Sequence, residues 1–149
     1  MEQREIYGSL PHRYPMLFID DIYEIRYGEY VKGVKCISRN EPWAQGHFPN
    51  EAVFPGVLTI ETMAQICGFM FYKKTDEALN LKAYISKIDE MKFLRQVIPG
   101  NQLIVEGEFL EKFSRFVKVK CKATVNGKIV AKGVLTYYFD SDFEVAVNE

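Results

Sequence analysis

The stretch 55–73 is apolar on nearly every side, through Val57, Leu58, Ile60, Met63, Ala64, Ile66, Cys67, Phe69, Met70 and Phe71, and its few polar positions, Thr59, Glu61, Thr62 and Gln65, need explaining. Its length and composition predict a helix that starts near Pro55, where proline is harmless because the first helical N–H has no intrahelical partner. A helix that is apolar on every side must be buried rather than laid on a surface. The rest of the chain therefore has to surround it. The remaining pattern supplies strands at 16–27 and 30–38, paired across Gly28, then at 83–93, 102–112, 114–125 and 128–139. One long buried helix ahead of several long antiparallel strands predicts an α+β fold in which a curved sheet wraps the helix.

The last two strands allow a sharper expectation. Val117, Val119, Cys121 and Ala123 alternate with Lys118, Lys120 and Lys122, and the return strand alternates from Ile129 through Ala131, Gly133, Leu135 and Tyr137. A two-residue Asn126-Gly127 turn would set Lys122 against Ala131 and Lys118 against Leu135, mixing the two faces. A three-residue loop, Val125-Asn126-Gly127, would instead align Ala123 with Ile129, Cys121 with Ala131, and Lys120 with Lys132. Since a slip of one residue exchanges the faces of a strand, the three-residue loop is the expected register.

At 149 residues, with 19 basic and 20 acidic side chains, the chain is expected to form one domain spanning 1–149. A net charge of −1 built from both signs argues against disorder and against general nucleic-acid binding. Eleven Phe and nine Tyr fit a β-rich chain with a large apolar interior or interface. Cys36, Cys67 and Cys121 are an odd, widely spaced set, which reads as free thiols in a reducing, cytoplasmic setting. The charged start, Met1-Glu2-Gln3-Arg4-Glu5, is not followed by the apolar run of a signal peptide. Pro55, Glu61 and Gln65 spoil the most apolar region as a membrane span.

Only two histidines, His12 and His47, are present, and the cysteines do not cluster with them, so a zinc site is not expected. No phosphate loop and no G-x-S-x-G elbow occurs. One constellation is left: Gly46-His47-Phe48-Pro49, then Pro55-Gly56-Val57-Leu58, then Glu61 on the helix. A carboxyl inside a buried helix needs a raised pKa or a specific partner, and a neutral one can act as a general acid. His47, in a stiff Gly/Pro loop, has the chemistry of a base. The Gly56 and Val57 amides, at the helix N-terminus, suit a developing oxyanion. Base, acid and oxyanion donor together match proton abstraction next to a carbonyl. A histidine in a proline-rich loop and a glutamate in a buried helix are equally compatible with purely structural roles.

Leu10-Pro11-His12-Arg13-Tyr14-Pro15, Gln45-Gly46-His47-Phe48-Pro49, Phe54-Pro55-Gly56-Val57-Leu58 and Glu61-Thr62-Met63-Ala64-Gln65 occur in that order. Lys87-Ile88-Asp89, Lys92-Phe93 and Val97-Ile98-Pro99-Gly100 follow. With these motifs the chain resembles the (R)-3-hydroxyacyl-[acyl-carrier-protein] dehydratases of bacterial fatty acid synthesis, the FabZ type, over about 10–139. The resemblance implies a hotdog fold, an antiparallel sheet around a long central helix. It implies a homodimer with a continuous sheet, or a trimer of such dimers, with no cofactor and no metal. The implied site is shared between subunits: His47 of one takes the C2 proton, and Glu61 of the other assists departure of the C3 hydroxyl. Gly56 would hold the thioester carbonyl, and Tyr84 matches a tyrosine that gates the acyl tunnel in some relatives. Glutamate at 61 favours dehydration without isomerisation.

The chain departs from the family pattern at Asn50, Ala52, Asn101 and Asp21, of which Asn50 and Ala52 lie in the loop that places His47. These changes bear on chain-length preference and leave room for a specialised, polyketide-type member. An acidic acyl carrier protein would need a basic landing site, for which Lys92, Arg95 and Lys112 or Arg115 are candidates. The Lys118-Lys120-Lys122 row reads as a solvated outer face. Two other readings stand beside the dehydratase: a hotdog acyl thioesterase, and an acyl-binding homologue without turnover.

Overall fold

A computed structural model describes residues 1–72 and 82–143. A short helix, α1 (Gln3–Ser9), leads into an irregular segment and then strands β1 (Asp21–Arg26) and β2 (Tyr30–Cys36). The central helix α2 (Gly56–Gly68) follows and tightens into a 3-10 turn at Phe69–Phe71. Strands β3 (Ala83–Phe93), β4 (Gln102–Phe113), β5 (Phe116–Val125) and β6 (Lys128–Phe139) complete the chain. They form one antiparallel six-stranded sheet in the order β1-β2-β4-β5-β6-β3.

Helix α2 lies on the concave side of this sheet. Met63, Ile66, Cys67, Phe69 and Met70 are fully buried against Val31, Leu103, Val105, Val119 and Leu135. Two glycines let the helix come close. A Cβ on Gly107 of β4 would sit 2.5 Å from Cys67 Sγ, and one on Gly33 of β2 would sit 3.1 Å from Ile66 Cγ2. The expected α+β architecture is therefore present, with its sheet wrapped around one helix.

Four details differ from expectation. The helix is buried from Thr62 onward, but before that only Thr59 is buried, and Val57 is 72% exposed. Pro55 is the N-cap rather than the first helical residue, and Lys73 lies outside the described residues. The strand expected at 16–27 is regular only from Asp21: the Asp20 N–H still donates to the Val34 carbonyl of β2 at 2.9 Å, but Met16 and Phe18 before it bond to the Gln65 side chain of α2. The β5–β6 register also differs. Asn126 and Gly127 have φ of 51° and 76°, the left-handed pair of a two-residue type I′ turn, with Val125 opposite Lys128. The pairing then shifts between Thr124↔Ile129 and Ala123↔Ala131, so Val130 is an extra, bulged residue. The bulge restores the face alignment that an unbroken two-residue hairpin would have lost.

Candidate active site

Residue 61 is reached one turn into α2, where the helix emerges from the core. Glu61 Oε1 accepts a hydrogen bond of 2.8 Å from Gln65 Nε2, one turn further along the same face. Gln65 is itself fixed from outside the helix. Its Oε1 accepts the Phe18 N–H at 2.8 Å, and its Nε2 also donates to the Met16 carbonyl at 2.6 Å. The irregular segment 10–19 is thereby tied to α2 and carries His12 to the same place. His12 Nε2 lies 3.6 Å from Glu61 Oε1, an electrostatic contact rather than a hydrogen bond, and its Nδ1 is buried without a partner. The specific partners that a carboxyl on this helix requires are thus Gln65 and His12.

Glu61 opens into a cleft of about 380 Å³ that follows one side of α2. Ala64, Gly68 and Tyr72 lie along it beyond Glu61, and Tyr84 and Ile85 of β3 flank it. Tyr137 is 3% exposed, and its hydroxyl donates to the Ala64 carbonyl at 2.6 Å. Burial pushes the Tyr137 hydroxyl well above its ordinary pKa and, with help from Asp140, pushes that of Tyr72 up to about 12. Both therefore line the cleft as neutral groups.

His47 follows a 3-10 turn at Pro42–Gln45. Its N–H donates to the Trp43 carbonyl at 3.0 Å, and its carbonyl accepts the Val53 N–H at 2.9 Å. Its ring stacks on Phe48, and its Nδ1 lies 2.7 Å from the Val53 carbonyl oxygen. A carbonyl only accepts, so Nδ1 must carry the proton and the neutral ring keeps Nε2 bare. That is the tautomer a general base needs. Gly56 and Val57 are the first two residues of α2, positions whose N–H groups have no intrahelical acceptor. A Cβ on Gly56 would lie 3.2 Å from the Phe93 ring.

Within one chain the structure brings Glu61 and Tyr84 to the same cleft, whereas His47, Gly56 and Val57 lie outside its lining. Sequence reasoning did not assign roles to Gln65 and His12, although Gln65 stood out as a polar residue on an apolar helix. The lysine row of β5 is a solvated face: Lys122 pairs with Glu106 at 3.3 Å and Lys118 with Glu111 at 3.3 Å. Of the candidate docking cations, Arg115 is bonded to Asp142 at 3.0 Å, Arg95 donates to the Ile129 carbonyl, and Lys112 lies over the Phe143 ring. Lys92 stands opposite another cation, Lys132.

The chain is similar to several known proteins. Residues 10–134 match the FabA-like domain. The 3-hydroxyacyl-[acyl-carrier-protein] dehydratase FabZ of Streptococcus pyogenes serotype M3 is 39% identical over 137 residues, covering 92% of this chain and 97% of the relative. Among solved structures, the dehydratase heterocomplex ApeI:P from Xenorhabdus doucetiae superposes with a TM-score of 0.76 at 19% identity, covering 91% of each chain. A hypothetical thioesterase with coenzyme A from Streptococcus pneumoniae superposes at 0.62 and 14% identity, covering 83% of this chain and 88% of the other. At these identities the two structures establish a common fold and nothing of the chemistry. The match across 10–134, together with the 39% identity over nearly the full length of both chains, places this chain in the FabA-like family.

Proposed function

We propose that this protein is a 3-hydroxyacyl-[acyl-carrier-protein] dehydratase, a hydro-lyase that converts a 3-hydroxyacyl thioester into the trans-2-enoyl thioester and water. The observation that carries the reading is Glu61, a carboxyl held at one oxygen by Gln65 and set in a largely apolar cleft. The 39% identity to a FabZ dehydratase supports it.

The chemistry follows from the fixed groups. His47 Nε2 takes the C2 proton, the C2–H electron pair becomes the C2=C3 double bond, and the C3–O bond breaks. Glu61 gives its proton to the departing hydroxyl, which leaves as water. Transfer of a proton from imidazolium back to carboxylate closes the cycle, so the elimination balances without a redox partner. The Gly56 N–H, at the positive end of α2, would hold the thioester oxygen as charge builds there, with Val57 beside it.

His47 of one chain would then serve Glu61 of another. Strand β3 is an edge of the sheet and leaves Tyr84, Ile85, Ile88 and Phe93 exposed, an apolar edge that invites pairing. Phe48 and Val57 are exposed as well, beside His47 and Gly56. A homodimer joined through β3, alone or as a trimer of dimers, would cover these side chains and set His47 of one protomer against Glu61 of the other. Tyr84, 55% exposed at the rim of the cleft, would then gate the acyl chain. The domain would span 1–149 and act in the cytoplasm; among the described residues no helix is long and apolar enough to cross a membrane. The acyl group would arrive on an acidic carrier protein, with Lys92 and its neighbour Lys132 as a cationic landing point.

Incubation with crotonyl thioester separates the readings. A dehydratase hydrates the double bond, so enoyl absorbance falls while the thioester stays intact. Release of free thiol with no 3-hydroxyacyl thioester formed would replace the dehydratase by a thioesterase. Neither change would leave an acyl-binding protein.

A further inference from the structure

Gly68 is the last residue of α2, and its φ of −62° and ψ of −25° are ordinary helical values. Glycine is the poorest helix former after proline, so its presence there asks for a reason. Close packing does not supply one. The nearest atoms that a Cβ on Gly68 would meet are those of Tyr137, at 3.6 to 3.8 Å, ordinary van der Waals contact. Gly33 and Gly107 are different, since a side chain on either would collide with its neighbours. The space that Gly68 leaves empty belongs to the cleft, between Ala64 and Tyr72.

Tyr137 cannot swing aside to make that room. Its hydroxyl is tied to the Ala64 carbonyl, and its ring packs against Phe71 and Phe139. Beyond Glu61 the passage along α2 therefore has one rigid wall, and its width is set at residue 68. We propose that Gly68 is the specificity-determining residue of this cleft, holding it open so that long acyl chains run past Tyr137 toward Tyr72. The proposal rests on the dehydratase reading and adds the class of substrate to it.

Distances along the helix set the scale. Seven residues separate Glu61 from Gly68, which is about 10 Å at a rise of 1.5 Å per residue. An extended chain advances roughly 1.2 Å per bond. With C3 beside Glu61, an acyl group of about twelve carbons reaches Gly68, and longer ones pass it.

The test is the hydration of trans-2-enoyl pantetheine thioesters of four, eight, twelve and sixteen carbons by the full-length protein and its Gly68→Met and Gly68→Ala variants. Gly68→Met should keep kcat/KM for the four-carbon substrate within about threefold of wild type. On the sixteen-carbon substrate it should lose roughly 250-fold, since about four carbons lie beyond Gly68 and each one denied burial costs about fourfold. Gly68→Ala, which favours the helix and folds even if the methionine variant does not, should lower the ratio of long-chain to short-chain kcat/KM several-fold. An unchanged ratio in both variants, or in Gly68→Ala if only that variant folds, overturns the assignment while leaving the dehydratase reading intact. A wild-type protein that hydrates no enoyl thioester of any length defeats the dehydratase reading and the assignment with it.

Discussion

The Nδ1 of His47 lies 2.7 Å from the Val53 carbonyl oxygen, six residues further along the same loop. That contact makes Nδ1 the protonated nitrogen and aims Nε2 away from the loop as the basic one. Replacing the ring removes the base but not the backbone bonds to Trp43 and Val53 that shape the loop. His47→Ala is therefore expected to lower kcat by about a thousandfold, with little change in melting temperature. Glu61→Ala should do likewise. If the site is shared, mixing the two variants under exchanging conditions rebuilds one wild-type site in each heterodimer, or roughly a quarter of full activity. Activity of the mixture equal to the mean of the two variants would place both groups of each site in one chain.

Gln65 joins the site to the fold more tightly than its neutral side chain suggests. It accepts from Phe18, donates to Met16 and donates to Glu61. Gln65→Leu leaves the Phe18 N–H and the Met16 carbonyl without these partners, which is expected to cost about 2–3 kcal/mol. For a chain of this size that lowers the melting temperature by roughly 5–10 °C. Because Glu61 also loses its donor, kcat should fall by about tenfold or more while the binding of short substrates changes little. Calorimetry and steady-state kinetics on the same preparation measure both. A variant that melts lower but keeps wild-type kcat would mean that Gln65 holds the segment 10–19 and does not position Glu61.

This link also shows where the sequence was legible and where it was not. The body of β5 could be read because one of its faces is buried: Val117, Val119, Cys121 and Ala123 alternate with lysines because the sheet has an inside and an outside. The β5–β6 register could not. It depends on a bulge at Val130, and a bulge adds a residue without marking it in the pattern. Likewise 16–20 carries the apolar character of a strand, yet the Phe18 N–H and the Met16 carbonyl go to Gln65, a partner more than forty residues away. Helix α1 is seven residues long with a glycine inside it, too short for periodicity to declare. For the site, Glu61 stood out because a charge on an apolar helix needs a reason. The tautomer of His47 came only with the fold, since it depends on the chain bending back to bring Val53 alongside.

The outer face of the sheet supplies a pH test. Tyr30 donates to Glu106 Oε1 at 2.6 Å, and Lys122 Nζ lies 3.3 Å from Oε2. The tyrosine hydrogen bond, with Lys122, holds the Glu106 carboxyl below its usual range against the opposing effect of partial burial. Between the folded and unfolded pKa values the unfolded chain binds the extra proton, so stability rises with pH across that window. The contribution of Glu106 is therefore fully present above the unfolded glutamate value of about 4.3 and disappears as pH falls through the lower folded value. Since the group is partly exposed and screened, the contribution should be only about 1 kcal/mol. Urea midpoints of wild type and Glu106→Gln should differ at pH 7 and converge near pH 3. Tyr30→Phe, which removes the larger cause, should close most of the same gap. A gap that persists unchanged at pH 3 would mean that the substitution acts through packing and not through the charge of Glu106.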